Sequence, residues 1–178
     1  EKETGKQLGC PENPLLLAVR SGASVSMPGM METILNVGVT PLTLPALQDI
    51  AGDDFFALDS YRRFLEGFCK STLNIDHPIF NAQTTGQAGL PDHIQGLETV
   101  ISERLGGEQL CDARYLLTEC IHAVIRSSSS ATAQAYRKKT GLPESLGTAV
   151  TVQAMVFGNT GAGSGTGVVF SRDPNSGE

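Results

Sequence analysis

The chain has 178 residues, of which 40% are apolar and 18% charged, a composition that excludes disordered and fibrous classes and a length that suits one domain with a sizeable core or two small ones. A net charge of -6 with a pI near 5.0 argues against a nucleic-acid binder that neutralises phosphates over a broad surface. The N-terminus (EKETGKQLGC) is polar and no stretch of about eighteen apolar residues occurs, so neither a signal peptide nor a membrane span is visible, and a cytoplasmic protein is expected.

Pro14 to Arg20 carries a short, unbroken apolar run closed by Ser21-Gly22, the pattern of a buried strand. A loop follows to Gly29, and Met30 to Val37 reads as a short helix ended by Gly38. From Pro41 to Lys139 the chain becomes helical. Asp53 to Leu73 places Phe56, Tyr61, Phe64, Leu65 and Phe68 at helical spacing, with Arg62, Arg63 and Glu66 on another face. Leu90 to Leu105 is a second helix, and Cys111 to Arg126 a third, with Leu117, Cys120, Ile121 and Val124 together. Between the first two, Asn74 to Gly89 reads as a loop. Ser130 is placed to cap a helix over Ala131 to Lys139. Gly147 to Phe157 is rich in β-branched residues and reads as a strand; Val168-Val169-Phe170 reads as another. The fold class is therefore α/β (α+β).

Chemistry concentrates around glycine. The chain holds 20 glycines, and Gly158 to Gly167 joins the last two expected strands. Such a loop brings backbone N–H groups close to phosphate oxygens, with Ser164 and Thr166 hydroxyls to help; a flexible hairpin tip is the alternative. No lysine follows as in a Walker A loop and no helix follows as in a Rossmann turn, so a strand-to-strand phosphate flap is the better functional reading. Gln153 and Met155 project to one face with Thr151 and Phe157. Arg20 and Arg172, at strand ends beside glycine turns, suit bidentate phosphate binding, a surface salt bridge being the more frequent explanation for any one arginine. Glu32 and Glu178 form no tight carboxylate cluster for magnesium. His77, His93 and His122 receive no catalytic role, and Arg137 to Lys139 reads as a solvated helix end. The four cysteines are spaced for neither zinc nor disulfide staples and are expected to be reduced.

Ala18-Val19-Arg20-Ser21-Gly22-Ala23 followed by Ser26 to Asn36 (SMPGMMETILN) closely resembles the nucleotide-binding domain of the pyruvate, phosphate dikinase family. Tyr61 to Phe64, Gly147 to Val150, Val152-Gln153, Met155 to Asn159, Ser164 to Val168 and Arg172 to Pro174 extend the match along the whole chain. Phosphoenolpyruvate synthases share the start but usually differ over Ser26 to Thr33.

The resemblance implies an ATP-grasp domain with a helical insertion, cut at both ends. Its parts would be 1–40 and 127–157 as the first subdomain, 41–126 as the insertion, and 158–178 as the flap and start of the second subdomain. It implies ATP with Mg2+, transfer of the β-phosphoryl group to a histidine on a swivelling domain, and inorganic phosphate taking the γ-phosphate as diphosphate. The phosphohistidine then serves pyruvate at a barrel domain, in a protein expected to be a homodimer. The implied ATP-binding residues are Arg20, Gly29, Thr33, Gln153, Met155, Gly165, Thr166, Gly167 and Arg172. The family's lysine-bearing glycine segment would precede this chain, and its metal-binding acids would follow Glu178. Ser127 to Thr132 departs from the family, which often has a Trp and an Arg there. A synthase-like relative, or a non-catalytic nucleotide-binding module, is the alternative.

Overall fold

A computed structural model describes residues 1–23, 25, 27, 29–75, 89–144, 146–160 and 163–178. Among the described residues, three strands and six helices run in the order β1 (Leu17–Gly22), β2 (Thr33–Val37), α1 (Leu44–Ala51), α2 (Asp54–Ser71), α3 (Leu90–Leu105), α4 (Gly107–Cys111), α5 (Ala113–Ser127), α6 (Ala131–Thr140) and β3 (Ala149–Ala154). The fold is mixed α/β. The expected loop over Asn74 to Gly89, with His77, falls mainly at residues 76–88, outside the described residues, as do Ser26 and Pro28 of the glycine loop and Gly161 of the later one.

The strands form one antiparallel sheet in the order β2-β1-β3. β1 takes the centre because Leu15 to Val19 is apolar throughout and buried throughout. The short helix expected at Met30 to Val37 is instead β2. Val19 pairs with Ile34 and Leu17 with Val37, so two residues of β2, Leu35 and Asn36, stand opposite one of β1. This bulge puts Ile34 and Val37, three apart in sequence, on the same buried side and mimics a helical face. Asn36 takes the left-handed conformation (φ 59°) that the extra residue needs.

The helices follow from their caps and stripes. Asp53 caps α2 by accepting from Phe55 N–H at 2.9 Å, and Asp112 caps α5 by accepting from Arg114 and Tyr115 N–H at 2.9 and 3.0 Å. Ser130 caps α6 as expected, taking the Ala133 N–H at 3.2 Å. In α2, Tyr61, Phe64, Leu65 and Phe68 are fully buried and meet Leu97 and Ile101 of α3 in one core. α2 and α5 pack on the sheet, whose Val19, Ile34 and Val37 are inaccessible. In α5 the buried stripe is Ala113, Leu116, Cys120, Ala123 and Val124, with Leu117 and Ile121 at its edge.

Two further expectations change. Val168 to Phe170 is no strand; its side chains are exposed, and no described segment runs beside it. β-Branched composition supplies a preference, but a strand needs a neighbour to take its backbone groups. The glycine run therefore does not close a hairpin. Arg137 is not solvated either, being buried with Nη1 donating to Ser128 O at 2.7 Å.

Candidate functional site

The antiparallel register decides which side chains meet. Arg20 lies opposite Thr33 of β2 and opposite Thr151 of β3, and Ala18 lies opposite Gln153. Directly opposed residues share a face, so Thr33, Arg20, Thr151 and Gln153 stand together on the side of the sheet away from Val19 and Ile34. Arg20, Thr33, Thr151 and Gln153 are exposed there.

Beside this row lies an open depression of about 360 Å³, lined among others by Arg20, Gly22, Gly29, Met31 and Thr33. Gly29 has φ 72° in a turn closed by Met30 N–H donating to Met27 O at 3.2 Å. A positive φ at that turn position is the reason glycine stands there. Met27, buried, pins the turn from below.

Arg20, like the exposed Arg104 and Arg114, differs from the paired arginines of the helices. Arg62 donates to Asp59 and Glu66, Arg63 to Asp59, Arg126 to Thr72 O and Arg137 to Ser128 O. Among the described residues the Arg20 guanidinium has no hydrogen bond or ion pair. A cation on the open face of the central strand, beside a glycine turn and between two threonines, is arranged to take an anion with several oxygens.

The remaining expected residues lie elsewhere. Met155 follows the end of β3, half-buried, with its Sδ accepting from Asn36 N–H at 3.2 Å and its N–H donating to Leu16 O at 2.9 Å. Phe157 meets Phe56 edge-on, with ring centroids 5.1 Å apart. Gly165, Thr166, Gly167 and Arg172 do not line the depression. Within the glycine run, a Cβ on Gly158 would stand 2.6 Å from Gly165 O, so these two residues approach through a contact that only glycine permits. Thr151 shares the face of Gln153 although no sequence motif marks it, and Asn36 meets Met155 through the bulge.

The titratable groups nearby are structural. Burial followed by the Glu98 carboxylate, which accepts from Tyr61 Oη at 2.8 Å, pushes the Tyr61 hydroxyl above its ordinary range. Burial pushes the Cys69 and Cys120 thiols up to about 12, which keeps them protonated and unreactive at neutral pH. His93, buried, pairs its Nε2 with Glu66 Oε1 at 2.9 Å. Among the described residues no three acidic, histidine or cysteine side chains converge on a point where a metal ion could bind. Glu32, the carboxylate beside the loop, is already taken by Ser71 Oγ at 2.7 Å. The described residues do not by themselves fit a magnesium site. No described helix is long and apolar enough to cross a membrane.

Known proteins share this sequence along its whole length. It is 42% identical over 191 residues to the pyruvate, phosphate dikinase of Rickettsia felis, covering 100% of this chain and 22% of that protein. It is 42% identical over 192 residues to the pyruvate, phosphate dikinase of Rhizobium meliloti, covering 100% of the chain and 21% of that protein. The chloroplastic pyruvate, phosphate dikinase of Flaveria trinervia is 39% identical over 192 residues, 100% of the chain and 20% of that protein. The chain thus spans about a fifth of the length of the curated relatives it matches. The family model described as pyruvate phosphate dikinase, AMP/ATP-binding domain, matches residues 1–178, and the chain belongs to that family.

Proposed function

We propose that this chain is the ATP-binding portion of a pyruvate, phosphate dikinase, holding the nucleotide's phosphates between the open sheet face and the glycine turn. The observation that carries the reading is Arg20, without a hydrogen-bond or ion-pair partner among the described residues and set between Thr33 and Thr151, beside Gly29. Arg20 would bind phosphate oxygens bidentately, the Thr33 hydroxyl would add a donor, and Gly29 would let backbone come close without a side chain. Gln153 and Met155 would stand on the adenine side, with Gly165, Thr166, Gly167 and Arg172 as a cover over the phosphates. The architecture proposed is ATP-grasp, with 1–40 and 127–157 as one subdomain, 41–126 as a helical insertion and 158–178 as flap. Rate enhancement in such a site comes from orientation and charge stabilisation of the transferring phosphoryl group. A phosphohistidine domain, a pyruvate-binding barrel and a second subunit are the proposed partners, and magnesium would need ligands beyond the described residues.

The test is Arg20→Ala in the full-length protein. Formation of AMP and diphosphate from ATP and phosphate should fall by ~10²-fold or more, as when a charge-stabilising donor is removed. Phosphoryl exchange between the histidine domain and pyruvate should be unchanged. Loss of both half-reactions with the fold intact, or of neither, overturns the assignment.

A further inference from the structure

Glu32 stands where two helices end. Ser71, the last residue of α2, donates through Oγ to Glu32 Oε2 at 2.7 Å. Ser127, the last residue of α5, accepts a hydrogen bond from the Glu32 N–H on Oγ at 3.2 Å and donates its own hydroxyl to Val124 O at 2.7 Å. Arg126 Nη2 ties the two helix ends together by donating to Thr72 O at 3.3 Å. Among the described residues these are the hydrogen bonds that join the glycine turn's strand-side arm to the helices.

The charge is on the unfavourable side. Helix C-termini carry partial negative charge from their unpaired carbonyls, and cations are what stabilise them. The Glu32 carboxylate meets only the α2 end, through Ser71, while its backbone N–H meets α5, and the Arg126 guanidinium lies at the same junction. Its position gives the contact with Ser71 its meaning, because Glu32 lies between the Gly29 turn and Thr33, which pairs with Arg20. A tether here fixes the far end of the turn and the β2 end of the Thr33–Arg20 pair at once.

We propose that Glu32 is a positioning residue for nucleotide binding: it clasps the glycine turn to the ends of α2 and α5 and so holds Gly29, Thr33 and Arg20 in binding-ready geometry. The proposal rests on the functional reading above. Glu32 touches neither nucleotide nor metal in this role; it acts through the turn. Preorganisation of this kind shows in affinity, since a loose turn must be ordered on binding.

The experiment measures ATP affinity by calorimetry, the KM for ATP and the thermal midpoint in full-length Glu32→Ala, Glu32→Gln, Ser71→Ala and Arg20→Ala proteins. Glu32→Ala should weaken ATP binding and raise KM by ~10-fold, and Ser71→Ala by ~3-fold, as ordering costs return. Glu32→Gln keeps an oxygen for Ser71 and sheds the charge, so it should recover affinity to within ~3-fold without lowering the midpoint. Phosphotransfer between the histidine domain and pyruvate should be unaffected in all four. If Arg20→Ala loses affinity while Glu32→Ala and Ser71→Ala retain it, whatever their midpoints, the clasp is overturned. Glu32→Gln as damaging as Glu32→Ala also overturns it. If Arg20→Ala retains affinity, the functional reading fails and the clasp with it.

Discussion

The helix-covered face of the sheet and the stretch after Gly163 contain apolar side chains of the same kinds, yet they end in opposite environments. Val19, Val37 and Val124 are inaccessible, whereas Val168 and Val169 are 77% and 96% exposed. The difference is not residue type but company. Val19 has a strand on each side and helices over it; Val168 to Phe170 has no described neighbour to pair with. Burial and pairing are properties of the pair of surfaces, and a β-branched triplet by itself specifies only half of one.

Three measurements would break or sharpen that contrast. Phe64→Ala should have the largest effect, since its ring is inaccessible at the α2–α3 core and packs on Phe68 at a centroid distance of 5.6 Å. Urea unfolding should register a loss of ~3–5 kcal/mol, the usual range for emptying an aromatic site. A loss under ~1 kcal/mol would mean that the core collapses around the gap.

Acid should act next, through the helices. Burial alone would raise the Asp59 carboxyl, but hydrogen bonds and charge from Arg62 and Arg63 hold it below its ordinary 3.8. Its folded pKa is therefore lower than its unfolded one. The stability it contributes is complete above the unfolded value and is lost as pH falls through the folded value, that is, below 3.8. In Asp59→Asn the difference in unfolding free energy from the parent should be largest near neutrality and vanish in strong acid. A difference that does not change with pH would show that the pair contributes through packing alone. The smallest effect belongs to Val169→Ser, expected within ~0.5 kcal/mol because nothing covers the side chain. A larger loss would put Val169 in the packed region after all.

Much of the helical part was legible in sequence because its signals are local. Asp53, Asp112 and Ser130 cap helices whose apolar residues recur at three and four, and α3 has the very bounds its stripe predicts, Leu90 to Leu105. β2 was misread for a physical reason. A bulge resets alternation by one residue, and from Ile34 to Val37 the resulting spacing is that of a helix. For the site, Arg20, Gly29 and Thr33 could be singled out in advance and the structure brings them to one depression. Glu32 stood out only as a carboxylate weighed for magnesium, because its contacts with Ser71 and Ser127 are made by the fold alone. The buried state of Arg137 was hidden likewise, its carbonyl partner at Ser128 lying on the preceding turn of chain rather than in any motif.

The sheet's strand order also carries a kinetic implication. β1 and β2 are separated only by residues 23–32, but β1 meets β3 across all of residues 23–148, including every helix. Closing so long a loop is entropically slow, and pairings of high sequence separation lag those of low. The helices and the β1–β2 pair can therefore assemble while Ala149 to Ala154 is still searching. Thr151 and Gln153 join the open face only with that last pairing, so the exposed row with Arg20 is completed at the end of folding. Any ligand that bridges Arg20 and Thr151 would act as a brace on the latest-formed seam, slowing its reopening more than the unfolding of the helices behind it.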